Sequence, residues 1–375
     1  MGEARRGEVS DRPVWIVLTH AELPNGAAHR LVGALLRAGS EVGLCAMPLP
    51  GASRFRSEQM LPGEPLAAPL VDDPRPVPWR QELRSSLEVA RYAWRVARAG
   101  RTELVVVGCD PVSFLEGVAA FHTAPVRVRA AAAWFVDWSA QRLQQRSTRA
   151  AYLAATHGTL RLADVAAAIS PAAAEALSQV GRPRHEVLVL SNQPLPVGSG
   201  PPWSARRLSV AYLGGLSEHQ GAEVLLGAAR VLGQEGVAVE IAGGGPAAAS
   251  VAAAAQGLSN VRFHGVVDDV GRLARLLHGS RVGWALYDPR FPMHAYNDPL
   301  KIKDYLAAGM RVVSTLPTSA DGGVVTVAGY SIASVVKATR AALSQPPRFQ
   351  PWEDPLVLEA EQSLQTFVAA VEATR

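Results

Sequence analysis

Cysteine is almost missing from this 375-residue chain: only Cys45 and Cys109 occur, each inside an apolar segment where a small side chain packs well. A disulfide framework is therefore not expected. No Cys/His grouping has the spacing of a structural zinc site, so no metal is implied, and a reducing cytoplasm is the expected setting. Charge is sparse too, with 19% charged against 48% hydrophobic residues. That balance excludes disorder and supplies side-chain volume for two packed cores, the number of domains a chain of this length favours. Apolar runs long enough to span a bilayer are lacking, and the first, Val14 to Leu18, is too short for a signal sequence. The formal charge of +4 is a mild bias towards anionic partners such as nucleotide phosphates or phospholipid surfaces, too weak to point to nucleic acid.

What the chain does have is strand and helix in alternation. Val14 to Leu18, Val42 to Met47, Leu104 to Gly108, Arg127 to Val136 and Val165 to Ser170 read as buried strands separated by helices such as Gly26 to Arg37. Pro48 to Pro78, rich in Pro, Gly and Ser, reads as a long loop. SNQPLPVGSGPPW, from Ser191 to Trp203, suits neither sheet interior nor helix and suggests an interdomain linker. A second unit follows, with strands at Leu208 to Leu213, Ala238 to Ile241, Val261 to Phe263, Val282 to Leu286 and Arg311 to Thr315. The expected organisation is residues 1–192, a linker over 193–206, a second domain over 207–345, and a helical tail over 346–375 that packs on either domain.

Parallel sheets bind ligands beyond the carboxyl ends of their strands, so the loops there are the candidate sites. VAVEIAGGGP ends a strand in Gly243, Gly244 and Gly245, which permit a ligand close to the backbone or simply make a tight turn. It is not a G-x-G-x-x-G fingerprint, and no acidic residue follows at the right distance, which disfavours a nicotinamide-dependent dehydrogenase. YNDPLKIKDYLAAG, from Tyr296 to Gly309, reads as a helix start with Asn297 and Asp298 as caps, Pro299 in the first turn and Leu300 opening the helix. Free N–H groups there can hold a phosphate. Lys301 opposes the helix dipole, which a bound diphosphate explains better than helix stability does. Asp304, three residues on, is placed to accept from ribose hydroxyls or to form an ordinary i,i+3 ion pair.

Together these segments resemble the GT-B glycosyltransferases, particularly the large retaining family whose C-terminal domain binds a nucleotide-sugar. The resemblance runs through YLGGLSEHQGAEVLL, VEIAGGGP, NVRFHGVVDD and NDPLKIKDYLAAGMRVVST, and more faintly through VWIVLTHAELPNGAAHRLVGALLRAGSEV. It implies an α/β fold of two Rossmann-like domains whose parallel sheets face a central cleft. By that resemblance Asp304 stands at the second glutamate of the family's paired-acid motif, the ribose ligand, while the first acid is replaced by Tyr296. The family's phosphate-binding arginine and lysine fall at Gly215 and Gln220, neither of them charged. Lys301 resembles the lysine that some branches place at a helix start for the diphosphate. The donor sugar and base are implied to lie near Gly244, Gly245, Val266, His294, Tyr296 and Asn297. Gly26, in Pro24-Asn25-Gly26-Ala27, resembles the glycine loop facing the donor phosphate, though a plain strand-to-helix turn fits equally.

Asp137, in AAAWFVDWSAQR, ends an apolar strand beside Trp134 and Trp138, where a carboxylate is costly to bury unless paired or functional. It is the candidate general base or acceptor-sugar contact, with Arg142 as an alternative structural partner; His20, ending the first strand, is a second candidate in the cleft. RQELRSSLEVARYAWRVARAGR, from Arg80 to Arg101, reads as a basic amphipathic helix with Arg84, Arg91, Arg95 and Arg98 on one face and Leu83, Leu87, Ala90 and Trp94 on another. It is either a solvated face or a peripheral contact with the inner membrane surface. The reading is a metal-independent transferase that needs no cofactor besides its co-substrate, a nucleoside diphosphate sugar, with UDP favoured by family frequency. Its acceptor is a lipid, a polysaccharide or a secondary metabolite. The losses at Tyr296, Gly215 and Gln220 keep open a non-catalytic nucleotide-sugar-binding scaffold, and a nucleotide-sugar epimerase is a further alternative.

Overall fold

The computed structural model describes residues 13–20, 26–47, 56–60, 78–101, 103–137, 143, 145–181, 183–317, 324–326 and 329–374. In the first unit β1 (Val14–His20), α1 (Ala27–Arg37), β2 (Val42–Met47), β3 (Arg56–Met60) and α2 (Pro78–Arg98) are followed by β4 (Glu103–Gly108), α3 (Pro111–Thr123) and β5 (Arg127–Phe135). Then come α4 (Arg146–Leu162), β6 (Val165–Ala168), α5 (Pro171–Val180) and β7 (Leu188–Val189). The strands form one sheet in the order β3-β2-β1-β4-β5-β6-β7, parallel except for β3. Alternation along β1 shows why both faces are covered. Trp15 and Val17 enter the core under α1, while Val14, Ile16 and Leu18 enter the one under α2 and α3.

The second unit holds β8 (Arg207–Leu213), α6 (Ala222–Gly233), β9 (Ala238–Ala242), α7 (Ala248–Gln256), β10 (Val261–Phe263), α8 (Val270–Gly279) and β11 (Ser280–Ala285). It continues through α9 (Leu300–Ala307), β12 (Arg311–Ser314), β13 (Val324–Thr326) and α10 (Ile332–Ser344). Its sheet is parallel throughout, in the order β10-β9-β8-β11-β12-β13.

Three short edge strands depart from the sequence reading. β3 lies inside the segment read as a loop, antiparallel to β2, and β7 and β13 are two and three residues long. An edge strand needs one neighbour and no apolar run, so it leaves little periodic signal.

The segment after β7 is not a loose tether. Residues 190–195 are buried; the Gln193 side-chain amide donates to Ala360 O at 2.8 Å, and Leu195 and Val197 join the second unit's core. The final helix, α11 (Pro355–Glu372), answers where the tail packs: it spans both units. Leu356 and Val357 sit in the second unit's core, while Leu364, Phe367 and Val371 sit in the first, with Phe367 6.4 Å from the Trp15 ring. Each large apolar side chain so buried stabilises the junction by about 1.5–3 kcal/mol.

Candidate functional site

The strand order of the second sheet reverses between β8 and β11, and the loops leaving those strands converge there. Three glycine loops build the floor. The Gly214 N–H donates to Ala242 O at 3.0 Å, the Gly243 N–H to Gly265 O at 2.8 Å, and the Leu216 N–H to Gly244 O at 2.7 Å. Gly243, at φ 155°, lies so close to the next strand that a Cβ would stand 1.8 Å from Gly214 O. These glycines thus bring backbone against backbone. Beside Gly244, Val266 is 66% exposed, an apolar side chain on the rim.

α9 is aimed at this floor by its own sequence. Tyr305 lies flat on β11 because Gly283 has no side chain, a Cβ there being 2.2 Å from the ring. The Tyr305 hydroxyl accepts from the Leu213 N–H at 2.8 Å and donates to Trp284 O at 3.2 Å. One helical turn earlier on the same side, Lys301 reaches the Gly214–Gly215 turn. The Lys301 Nζ lies 3.1 Å from Gln220 Oε1 and 3.3 Å from the Tyr212 hydroxyl, over the rings of Tyr212 at 4.3 Å and Tyr287 at 4.9 Å. At 7% exposure with only neutral partners among the described residues, its ammonium is pushed down to about 7 by burial. Tyr212, in β8, and Tyr287, just beyond β11, enclose the cation and carry no sequence signal of their own.

The caps expected for α9 are used otherwise. Pro299 is the N-cap residue and no side chain caps the helix, so its first N–H groups are left for an anion. Asp298 instead accepts from the Asn192 N–H at 2.7 Å and pairs with Lys303, while its carbonyl takes the Asn192 amide. A cavity of about 120 Å³ opens here between the units, lined by Ser170, Asn297, Asp298, Pro299, Lys303 and Glu359 among others.

Asp304 meets a partner that the sequence does not announce. It is 2% exposed, and its two oxygens accept from the Arg30 guanidinium of α1 at 2.5 and 2.9 Å; the Leu195 N–H adds 2.9 Å. The carboxylate expected to receive a ribose is thus occupied by the first unit and the connecting segment, and no i,i+3 pair with Lys301 forms. Arg30 was invisible in the sequence because an arginine within an amphipathic helix is ordinarily a solvated one.

His294 is buried, its Nε2–H donating to His219 O at 2.9 Å and its Nδ1 accepting from the Asn297 amide at 3.2 Å, which fixes its tautomer. Its ring stacks on His219, centroids 5.6 Å apart. Tyr296 leans on the first unit, its carbonyl accepting from the Ser170 hydroxyl at 2.8 Å. Asp137 is half-buried just beyond β5, and its carbonyl accepts from the Tyr152 hydroxyl at 3.3 Å. Gly26 is the N-cap of α1, with no side-chain cap. His20 ends β1 at the same edge of its sheet. Pro24, Asn25, Trp138 and Arg142 lie outside the described residues.

α2 turns a different face inward from the one its sequence suggested. Val89, Tyr92 and Ala93 are buried, Tyr92 meeting Phe121 edge-on at 6.4 Å. Leu87 and Trp94 are left 53% and 43% exposed, on a surface shared with exposed Arg91, Arg95 and Arg98. Among the described residues no helix is long and apolar enough to cross a membrane.

Residues 207–345 match the family model of Glycosyl transferases group 1. No curated protein sequence matches the chain. Among solved structures it is similar to Anabaena HepE in complex with UDP and glucose, at 13% identity and a TM-score of 0.61, covering 96% of this chain and 99% of that one. A glycosyltransferase from Rickettsia africae is similar at 10% identity and a TM-score of 0.54, covering 96% and 94%. AviGT4, a glycosyltransferase involved in avilamycin A biosynthesis, is similar at 16% identity and a TM-score of 0.52, covering 96% and 95%.

Proposed function

We propose, from the premise that this chain is a glycosyltransferase of the GT-B fold with a Glycosyl transferases group 1 domain over residues 207–345, that it moves a sugar from a UDP-sugar to an acceptor hydroxyl or amine without a metal. The observation that carries the reading is Lys301: a buried cation with neutral partners, set against a glycine turn at a topological switch point. Burying such a cation is costly unless an anion joins it. A donor diphosphate supplies that anion, and the negative charge growing on the leaving UDP is met by Lys301 and by the uncapped start of α9. Val266 and Gly244 offer an apolar edge and an open backbone to the base, and the His294–Asn297 pair lies beside the sugar. Asp137, with His20 as second candidate, takes the acceptor proton from the opposite unit.

Purified protein incubated with a panel of UDP-sugars and cell-extract acceptors should release UDP in proportion to glycosylated product, undiminished by a chelator. Binding of UDP-sugar with no product across an adequate panel would establish a scaffold instead. Product in which the free UDP-sugar is epimerised without acceptor would establish an epimerase.

The acceptor is proposed to be presented at an anionic membrane surface, which α2 contacts. A helix that shows solvent both a leucine and a tryptophan among arginines suits the interface, where the rings sink to headgroup depth and guanidinium groups meet phosphate. Vesicles containing phosphatidylglycerol should co-sediment the protein, and pure phosphatidylcholine vesicles should not. Trp94→Ala combined with Leu87→Ser should weaken the binding about tenfold or more, each buried apolar side chain being worth about 1.5–3 kcal/mol. Equal recovery with both vesicle types, or an unaffected double variant, would leave α2 as an ordinary solvated helix.

A further inference from the structure

We infer that Arg30 is a positioning residue for the transfer reaction: through its ion pair with Asp304 it sets the place of α9, and hence of Lys301, from the opposite unit. The inference rests on the donor-site reading above. Its geometry is independent of any ligand, for three segments far apart in sequence meet at one carboxylate. Arg30 lies one turn into α1, just beyond Gly26 and the end of β1. Its Nη1 and Nη2 donate to the two Asp304 oxygens at 2.5 and 2.9 Å, and Nη1 also to Gln193 O at 3.2 Å. From the other side the Leu195 N–H donates to Asp304 Oδ1. The side chains are 8% and 3% exposed, so the pair is desolvated, and its paired two-point geometry fixes orientation as well as distance.

Three successive anchors then locate α9. Tyr305 seats it on the second sheet, Asp304 ties it to the first unit and the connecting segment, and Lys301 projects to the glycine floor. Take away the middle anchor and the helix keeps its seat on the sheet but loses its tie to α1. The placement of Lys301 would then be coupled less tightly to α1. A misplacement of about 1 Å at a reacting centre costs on the order of a hundredfold in rate. The same arrangement gives Asp304 a duty other than holding a ribose: with both oxygens engaged, it acts through α9 and not on the donor.

The experiment compares Arg30→Met, Asp304→Asn, Arg30→Lys and the apolar pair Arg30→Met/Asp304→Leu with the wild type. The measurements are kcat and KM for a UDP-sugar, and calorimetric affinities for UDP and 2′-deoxy-UDP. Arg30→Met, Asp304→Asn and the apolar pair should each lower kcat at least about tenfold and by a similar factor, with Arg30→Lys in part restored. The ratio of UDP to 2′-deoxy-UDP affinity should stay at the wild-type value throughout. Where a lone buried charge unfolds a single variant, the apolar pair, which leaves none, still reads the effect; a kcat at the wild-type level in it overturns the assignment. So does an affinity ratio that collapses to one in Asp304→Asn alone, which would make Asp304 a ribose ligand. Wild-type protein that binds neither nucleotide removes the donor-site reading and the inference together. Normal nucleotide binding with full activity in Arg30→Met removes only the inference.

Discussion

Lys301→Met should yield a protein that melts higher and transfers sugar far more slowly. The two effects have one cause. Burial lowers the Lys301 ammonium from its ordinary 10.5 to about 7, with no carboxylate to offset the cost. Between those values the unfolded chain holds a proton that the fold does not, so the stability tied to this group rises with pH through that window. Below about 7 the full penalty stands, and above about 10.5 it is gone. Methionine fills similar space without the charge, and the gain near neutrality should be a few kcal/mol, on the order of 4 at most. Turnover should fall about 10²–10³-fold, the usual loss when one donor to a developing anion is removed. Wild-type affinity for a UDP-sugar should decline as pH rises above about 7, because the diphosphate binds the charged amine, and the variant should lose that slope. Calorimetry and melting curves between pH 6 and 10 read both quantities. A variant that is less stable and fully active would sink the diphosphate role of Lys301.

Gly243→Ala should be among the most damaging single changes in the chain. A methyl at that position would stand 1.8 Å from Gly214 O, and both groups are backbone, so neither side can swing away. Relief requires separating the turn after β8 from the turn after β9, which sacrifices the Gly214-to-Ala242 and Leu216-to-Gly244 bonds and displaces the floor opposite Lys301. The cost should reach about 3 kcal/mol or more, with donor affinity falling in step. Gly236→Ala is the control. Gly236 also has positive φ, at 73°, but nothing lies within 4 Å of a Cβ there. It should cost only about 1 kcal/mol of backbone strain and leave donor affinity unchanged. Equal losses in the two variants would mean that backbone conformation, and not the crossing of the loops, governs the floor.

Most of the fold was legible because both sheets, apart from the antiparallel β3, are parallel and covered on both faces, which writes their inner strands as unbroken apolar runs. The polar edge strand β3 and the two short ones, β7 and β13, were not, since one bonded neighbour suffices to hold them. In the candidate site, Lys301 stood out as a cation at the wrong end of a helix, an oddity the chain itself displays. Arg30, Tyr212 and Tyr287 showed nothing comparable: Arg30 fits its helix and Tyr212 its strand as ordinary residues, and Tyr287 sits in the loop after β11. The apolar face that periodicity assigns to α2, with Leu87 and Trp94, is not the one that packs: Val89, Tyr92 and Ala93 turn inward, where Tyr92 meets Phe121.

The sequence alone determined two α/β units, the glycine turns at their strand ends, and a helix opening at Leu300 with Lys301 in its first turn, because periodicity, proline and glycine act locally. Only the tertiary structure decided that α11 braces both units, that Asp298 serves Asn192 and Lys303 instead of capping α9, and that Asp304 faces Arg30. The reason is physical. What a charged side chain meets depends on which distant surface the packing of two cores brings against it, and positions 30 and 304 have no local interaction through which the chain could record their meeting.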